Sequence, residues 1–70
     1  MMPLTTAKVG EKNSIKKVGG KEEVRQFLEN LGFVPGSHIT IINEIGGNVI
    51  VNIKESRVAI SKEMAAKILV

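Results

Sequence analysis

The chain has 70 residues, a formal net charge of +3 and no cysteine. This length allows one small domain, residues 1–70, whose core supplies roughly 3–5 kcal/mol of stability, and the missing cysteines exclude disulfides, thiolate zinc sites and cysteine nucleophiles. No apolar run approaches the roughly 20 residues of a membrane-spanning helix and the start lacks a signal-peptide pattern, so we expect a cytoplasmic domain without direct membrane insertion.

The positive charge is concentrated in the N-terminal third of the chain. Residues 1–21 carry five lysines and one glutamate, a net charge of +4, whereas residues 22–70 carry five basic and six acidic residues, a net charge of −1. A basic segment can face an acidic partner, an anionic membrane surface or nucleic acid. Lysine-rich segments are also common as plain solvated surface.

Residues 1–12 are predicted to form an extended arm packed on the rest of the domain. The two isolated apolar residues of this arm, Leu4 and Val9, are its expected anchor points. A short strand is then predicted over 14–18, with Ile15 and Val18 directed inward. Its two lysines lie near an exposed edge, where lysine discourages pairing with another chain.

A helix is predicted over about 21–31, because apolar residues recur there at the spacing of one helix face. This apolar stripe consists of Val24, Phe27, Leu28 and Leu31. Glu22 and Glu23 occupy the first turn, where the helix dipole favours negative charge. Both phenylalanines of the chain, Phe27 and Phe33, are expected in the core.

The segment 28–37 is predicted to end the helix and start a strand with almost no loop. Gly32 supplies the left-handed residue at which helices commonly stop, and this stop brings Phe33 against Leu28. Pro35-Gly36 is the residue pair of a type II turn. We therefore expect the chain to leave the helix, reverse and enter a strand at about residue 38.

Three short strands are predicted in the C-terminal half, over 38–45, 49–54 and 57–60. Tight turns at Gly46-Gly47 and at residues 55–56 connect them. In the first of these strands Ile39, Ile41 and Ile45 share one face. Ser61 is expected to cap a short closing helix that packs through its apolar residues. The order strand, helix, strand, strand, strand, short helix predicts a mainly β domain with a small curled sheet or barrel.

The residue inventory argues against catalysis and against a metal site. One histidine and no aspartate leave no Ser/His/Asp arrangement, so we predict no enzyme and no catalytic residue. His38 with Glu44 or Glu55 lacks the close spacing of ligand clusters, so no metal-binding residue and no cofactor are predicted. Two phenylalanines are too few for the aromatic platforms of nucleic-acid-binding barrels or for a proline-rich peptide groove.

Apolar residues that do not fit the inward alternation indicate a partner-binding surface near the 33–36 junction and the Gly46-Gly47 hairpin. Residues of this kind are either ordinary exposed surface or part of an interaction patch. We also expect the N-terminal lysines to steer the encounter with a partner. The predicted partner-binding residues are Phe33, Val34, Ile42, Ile50, Lys16 and Lys17.

These motifs together resemble the FeoA family of small bacterial and archaeal iron-uptake accessory proteins. The resemblance extends from about Leu4 to Leu69. It rests on Leu4 with Val9-Gly10, on Gly19-Gly20 before a helix, on Leu31-Gly32-Phe33-Val34-Pro35-Gly36, and on Arg57-Val58-Ala59-Ile60-Ser61 leading into Glu63 and Ala65. The family motif residues are Leu31, Gly32, Pro35 and Gly36. Val9 departs from the family pattern, which has proline before the glycine.

The resemblance implies an SH3-like barrel with a helix inserted after the first strand. It also implies a cytoplasmic partner, the membrane ferrous-iron transporter FeoB with its N-terminal G-domain, which would recruit the protein to the inner membrane face. Docking would modulate the transporter's nucleotide cycle or its assembly. FeoA-type domains are associated with transition-metal binding, so ferrous iron is the one ion whose binding the resemblance implies.

Two other functions remain open at the level of the sequence. A metal-responsive regulatory domain of the DtxR type shares the Leu-Gly-x-x-Pro-Gly element and the expected fold. A nucleic-acid-binding small barrel is supported by the basic N-terminal third alone, and its binding would weaken strongly with salt.

Overall fold

The computed structural model describes residues 1–70 and contains six strands and two helices. In chain order these are β1 Lys12–Ser14, β2 Lys17–Val18, α1 Glu22–Asn30, β3 His38–Ile45, β4 Asn48–Ile53, β5 Ser56–Ser61, α2 Lys62–Ala65 and β6 Ile68–Leu69, and a 3₁₀ turn at Leu4–Thr6 precedes β1. The mainly β architecture, the single long helix and the three C-terminal strands are confirmed. The additional strand β6 was not predicted.

The strands form two antiparallel sheets and not one closed barrel. The larger sheet has the strand order β1-β3-β4-β5, and the smaller sheet pairs β2 with β6. Tight two-residue turns join β3 to β4 at Gly46-Gly47 and β4 to β5 at residues 54–55. The small curled β domain predicted from the strand spacing is therefore built from the three-stranded meander β3-β4-β5, with β1 added at the free edge of β3, and a short two-stranded ribbon.

The chain changes sheets at the place where one strand was predicted over 14–18. The Ile15 N–H donates to the Ser37 carbonyl at 2.8 Å, and the next N–H, that of Lys16, donates to the Leu69 carbonyl at 2.7 Å. Because consecutive amides bind different neighbours, the predicted strand is divided into β1 and β2. Ile15 and Val18 are buried, as predicted.

The N-terminal arm is held through one side chain and through the backbone. Leu4 is fully buried, but Val9 is 60% exposed, so its prediction as a second anchor is wrong. The neighbouring Gly10 N–H donates to the Ile41 carbonyl at 2.8 Å, and this backbone contact replaces the side-chain anchor. The arm is also not extended throughout, because it contains the 3₁₀ turn.

The two ends of the chain are joined by backbone hydrogen bonds. The Met2 N–H donates to the Val70 carbonyl at 2.9 Å, and the Val70 N–H donates to the Met2 carbonyl at 2.8 Å. An isolated bridge between Pro3 and Leu69 continues this pairing. Met2 and Val70 therefore lie side by side.

A single apolar cluster forms the core, and it contains no buried polar or charged residue. Its thirteen members are Leu4, Ile15, Val18, Leu28, Phe33, Ile39, Ile41, Val49, Val51, Ile53, Ile60, Ala65 and Ile68. Six of the thirteen come from the inner face of β3, β4 and β5, so the large sheet supplies nearly half of the core, and the other seven come from the segments packed against it.

Helix α1 contributes one fully buried residue, Leu28. Val24 and Leu31 pack against the core while partly buried, but Phe27 is 49% exposed, so its placement in the core is wrong. Adjacent residues of a helix point about 100° apart, so Leu28 and Phe27 cannot both face the sheet. Neither α1 nor α2 has the length and apolar character needed to cross a membrane.

The predicted helix stop is confirmed in detail. Gly32 has a φ of +104°, its N–H donates to the Glu29 carbonyl at 2.9 Å, and the Phe33 N–H donates to the Leu28 carbonyl at 3.0 Å. These two bonds define a Schellman motif, in which the residue after the glycine packs on the last turn. Phe33 and Leu28 are both fully buried.

The predicted Pro-Gly turn is also confirmed. Gly36 has a φ of +91°, and the Ser37 N–H donates to the Val34 carbonyl at 3.1 Å, which closes the turn. The Gly36 N–H donates further to the Ile15 carbonyl at 2.8 Å. The turn is therefore fixed to the first part of the chain before β3 begins at His38.

Ser61 caps the short closing helix, as predicted. Its Oγ accepts a hydrogen bond from the Met64 N–H at 3.2 Å, which satisfies one of the free amides at the start of α2. Ala65 of α2 is fully buried, and the chain then extends into β6, whose Ile68 is also fully buried.

Candidate partner-binding surface

A β-bulge in β3 determines which of its side chains face away from the core. Ile41 is opposite Val51 and Asn43 is opposite Ile50, so Ile42 is an extra residue in β3. A bulge of this kind places two residues of one strand against one residue of the partner strand. Ile42 therefore lies beside Ile50 on the outer face of the large sheet.

The bulge also changes the alternation of the residues that follow it. Ile45 has the parity of the buried residues Ile39 and Ile41, yet it is 57% exposed, so its predicted sharing of their face is wrong. One extra residue moves every later side chain to the opposite face. The Asn43 Oδ1 accepts a hydrogen bond from the Glu44 N–H at 2.8 Å and so supports the irregular backbone at this point.

Three isoleucines consequently form an apolar area on the outer face, next to the β3–β4 hairpin. We call Ile42, Ile45 and Ile50 the isoleucine patch. Ala59 of β5 lies directly opposite Ile50 and extends the patch, and Gly10 brings Val9 close to β3 through its bond to Ile41. Ile42 and Ile50 are partly exposed and Ile45 is largely exposed.

Two of the four apolar residues predicted to bind a partner do not belong to this patch. Phe33 is fully buried, because the Schellman motif turns it onto Leu28, and its prediction as a contact residue is wrong. Val34 is partly buried and lies in the turn before β3. The four residue steps from His38 to Ile42 span roughly 13 Å at about 3.3 Å per residue, so Val34 lies apart from Ile42 along the chain direction of β3.

The two steering lysines lie on a different part of the surface. Lys16 and Lys17 are exposed, and Lys17 pairs with Leu69 in the small sheet. Lys17 also lines a shallow groove together with Pro35 and residues of α1. Of the motif residues, Pro35 lines this groove, and Leu31 is the C-cap residue of α1.

The histidine and the carboxylates do not converge on a metal site. No three His, Asp or Glu side chains come together at a spacing that could hold a metal ion. The only histidine, His38, shares its surroundings with Lys12 and Lys54, whose positive charges would repel a cation.

Phe27 and Ile45 are exposed apolar residues that were predicted to face the core. For Phe27 the available signal was its neighbour Leu28, because only one of two adjacent helical residues can face a sheet. For Ile45 the signal was Asn43, a polar residue at a position that strict alternation assigns to the core. Ile45 lies on the outer face of the large sheet and enlarges the set of candidate contact side chains, whereas Phe27 lies on α1.

The fold belongs to the class of small SH3-like β proteins. A crystal structure of FeoA from Stenotrophomonas maltophilia in complex with zinc, described as a unique procaryotic SH3 domain protein, matches with a TM-score of 0.86 at 19% identity, over 99% of this chain and 88% of that chain. A crystal structure of an iron uptake regulatory protein (FeoA) also matches with a TM-score of 0.86, at 28% identity, over 96% of this chain and 89% of that chain.

The sequence comparisons define the family within this class. The family model described as the FeoA domain matches residues 2–70. The "Putative Fe(2+) transport protein A" of Methanocaldococcus jannaschii is 37% identical over 70 residues, which are 100% of this chain and 85% of that protein. The chain belongs to the FeoA domain family.

Proposed function

We propose that this protein is a non-catalytic accessory protein of ferrous-iron uptake that docks on the cytoplasmic part of a FeoB-type transporter. Membership of the FeoA domain family and the name of the archaeal relative support the role in iron uptake. The observation that carries the docking step is the isoleucine patch, which no other part of the chain covers.

The patch has the composition of the centre of a protein interface. Fully burying an isoleucine side chain contributes about 1.5–3 kcal/mol, and a few such anchors dominate the binding energy of an interface. Polar side chains of the same face, Asn43 and Asn48, lie next to the isoleucines and would form the solvated rim that surrounds such anchors.

The location and the consequence of docking belong to the same proposal. The protein would act in the cytoplasm and be recruited to the inner membrane face by the transporter. Docking would modulate the nucleotide cycle of the transporter or its assembly. Ferrous iron is the cargo of the transporter in this scheme, and the accessory protein works without a resident metal or cofactor.

Isothermal titration calorimetry with the isolated cytoplasmic part of FeoB tests this proposal, with and without guanine nucleotide and ferrous iron. We expect saturable heat and a negative heat-capacity change, the signature of apolar burial. Ile50→Glu should lower the affinity by about tenfold or more, because it places a charge in the centre of the interface. Its position on the outer face leaves the fold intact, which circular dichroism verifies.

Phe27→Glu is the matched control, since Phe27 is also an exposed apolar residue but lies on α1. We expect its affinity to equal that of the unmodified protein. Loss of binding in Phe27→Glu with normal binding in Ile50→Glu would contradict the assignment of the isoleucine patch. Absence of heat under every nucleotide and iron condition would contradict docking on the cytoplasmic part.

A further inference from the structure

The outer face of the large sheet carries a second feature, a hollow at the end away from the isoleucine patch. Its volume of about 460 Å³ falls within the roughly 300–1,000 Å³ of small-molecule sites. No hydrophobic residue lines it. We call it the polar hollow, and its six lining residues are Lys12, Ser37, His38, Thr40, Asn52 and Lys54.

The register of three strands places the side chains of the hollow on one face. Lys12 of β1 is directly opposite Thr40 of β3, and Thr40 is directly opposite Asn52 of β4. Directly opposite residues have Cβ atoms about 4.5–5.5 Å apart, so these three form one row across the sheet. His38 lies two residues before Thr40 on the same face, and Lys54 follows the end of β4.

The two lysines of the hollow are not neutralised by the protein. The one ion pair of the structure joins Lys62 to Glu44 at 3.7 Å, near the opposite end of β3. Glu11 and Glu55 are adjacent in sequence to the two lysines, but neither lines the hollow and neither is within 4.0 Å of a cationic nitrogen. Lys12 and Lys54 therefore present uncompensated positive charge to one concave surface.

The neutral side chains of the hollow are also free to bind a ligand. The side-chain hydrogen bonds of the protein involve other residues, so the hydroxyls of Ser37 and Thr40, the His38 imidazole and the Asn52 amide have no intramolecular partner. Each of them can donate a hydrogen bond. The hollow thus combines two ammonium groups with several unused hydrogen-bond donors, and no carboxylate side chain lines it.

We propose that the polar hollow binds a phosphate group. Phosphate oxygens accept several charge-assisted hydrogen bonds at once, and ammonium, hydroxyl, amide and imidazole donors are the groups that recognise them. A small phosphorylated molecule and the headgroup of an anionic phospholipid present this same group. The site is separate from the isoleucine patch and does not depend on the docking proposal.

Nuclear magnetic resonance titration of the full chain with inorganic phosphate and pyrophosphate tests this site, at constant ionic strength. We expect saturable shifts of the amide signals confined to the residues of the hollow. The double variant Lys12→Gln, Lys54→Gln should weaken binding by roughly tenfold or more, since each substitution removes one charge-assisted contact. The control Lys8→Gln, Lys21→Gln removes the same charge from exposed lysines outside the hollow and should bind normally.

Sedimentation with phosphatidylcholine vesicles that contain phosphatidic acid distinguishes the two sources of the phosphate group. The hollow is supported as a lipid-headgroup site if vesicle binding is lost only in the Lys12, Lys54 variant and the soluble phosphates do not shift the amide signals. Shifts from soluble phosphates without vesicle binding support a small phosphorylated ligand. Equal losses of binding in the two double variants would overturn the proposal and indicate diffuse electrostatic attraction instead. Absence of binding in both experiments would also overturn it.

Discussion

Gly32 is the residue that places Phe33 in the core. Its positive φ lets the chain turn back on α1, and the two hydrogen bonds of the Schellman motif then hold Phe33 over Leu28. Phe27, on the helix itself, has the same side chain but remains half-exposed. Burial of these phenylalanines is therefore decided by backbone geometry and not by hydrophobicity.

Replacing Gly32 by alanine should lower the free energy of unfolding by about 1–2 kcal/mol, the cost of a left-handed conformation for a residue with a Cβ. The added Cβ would meet no atom closer than Ile53 Cγ1 at 3.8 Å, so the cost lies in the backbone conformation and not in a clash. Urea denaturation followed by circular dichroism measures the change.

Gly19→Ala is the control for this substitution. Gly19 does not have a positive φ, and its Cβ would lie 3.6 Å from the Lys67 carbonyl, an ordinary contact. We expect little change in stability for this variant. Equal losses in the two variants would show that the effect of Gly32→Ala does not come from its backbone conformation.

At the scale of secondary-structure elements, strand β3 and the divided first strand show what local sequence patterns can and cannot predict. The helix stop, the Pro-Gly turn and the bounds of β3 were predictable, because each depends on residues adjacent in sequence. The bulge at Ile42 and the change of sheets after Ile15 depend on which strand pairs with which. Such long-range pairing leaves only weak signals in a single sequence.

The candidate surface was predictable to a similar extent. Ile42 and Ile50 were identified because neither fits the inward alternation, and the bulge brings them together. Val34 was grouped with them because it is also apolar and unassigned, but the length of β3 separates it. The polar hollow was not predicted, since its residues come from three strands whose register only the fold defines.

Deleting Ile42 should leave the protein folded, because this residue alone has no partner across β3 and β4. The pairs Ile41–Val51 and Asn43–Ile50 would then follow each other in a regular ladder. We expect a change in unfolding free energy of about 1 kcal/mol or less, measured by thermal denaturation, together with weaker docking on FeoB.

Deletion of Asn52 is the matched control, since it also removes an exposed residue but one that is paired on both sides, with Thr40 and Arg57. This deletion shifts the register of β4 and turns core side chains outward. We expect it to unfold the protein. A folded Asn52 variant, or an unfolded Ile42 variant, would contradict the assigned bulge.

At the scale of the whole molecule, the surface is divided into regions of different character. The outer face of the large sheet is apolar near the β3–β4 hairpin and basic near its other end. Lys16 and Lys17 lie on the small sheet, apart from the isoleucine patch. A partner with acidic groups around an apolar centre would therefore be attracted over a broad surface before it contacts the patch.

The double variant Lys16→Gln, Lys17→Gln should slow association with the cytoplasmic part of FeoB several-fold at low salt and leave dissociation unchanged. Charges outside the contact area mainly act on the association rate. Stopped-flow mixing measures both rates, and the difference from the unmodified protein should vanish at high salt, where the charges are screened. Faster dissociation of the variant would instead identify the lysines as contact residues.

The pairing of Met2 with Val70 makes the backbone nearly a closed ring. A short glycine-serine linker across this pair would join the ends with little strain, and the chain could then be opened at another surface turn, a circular permutation. Opening the ring at Gly46-Gly47 would place both new ends beside the isoleucine patch. A fluorescent reporter fused there would sit at the edge of the proposed docking surface, whereas a reporter fused at Val70 would lie beside the small sheet.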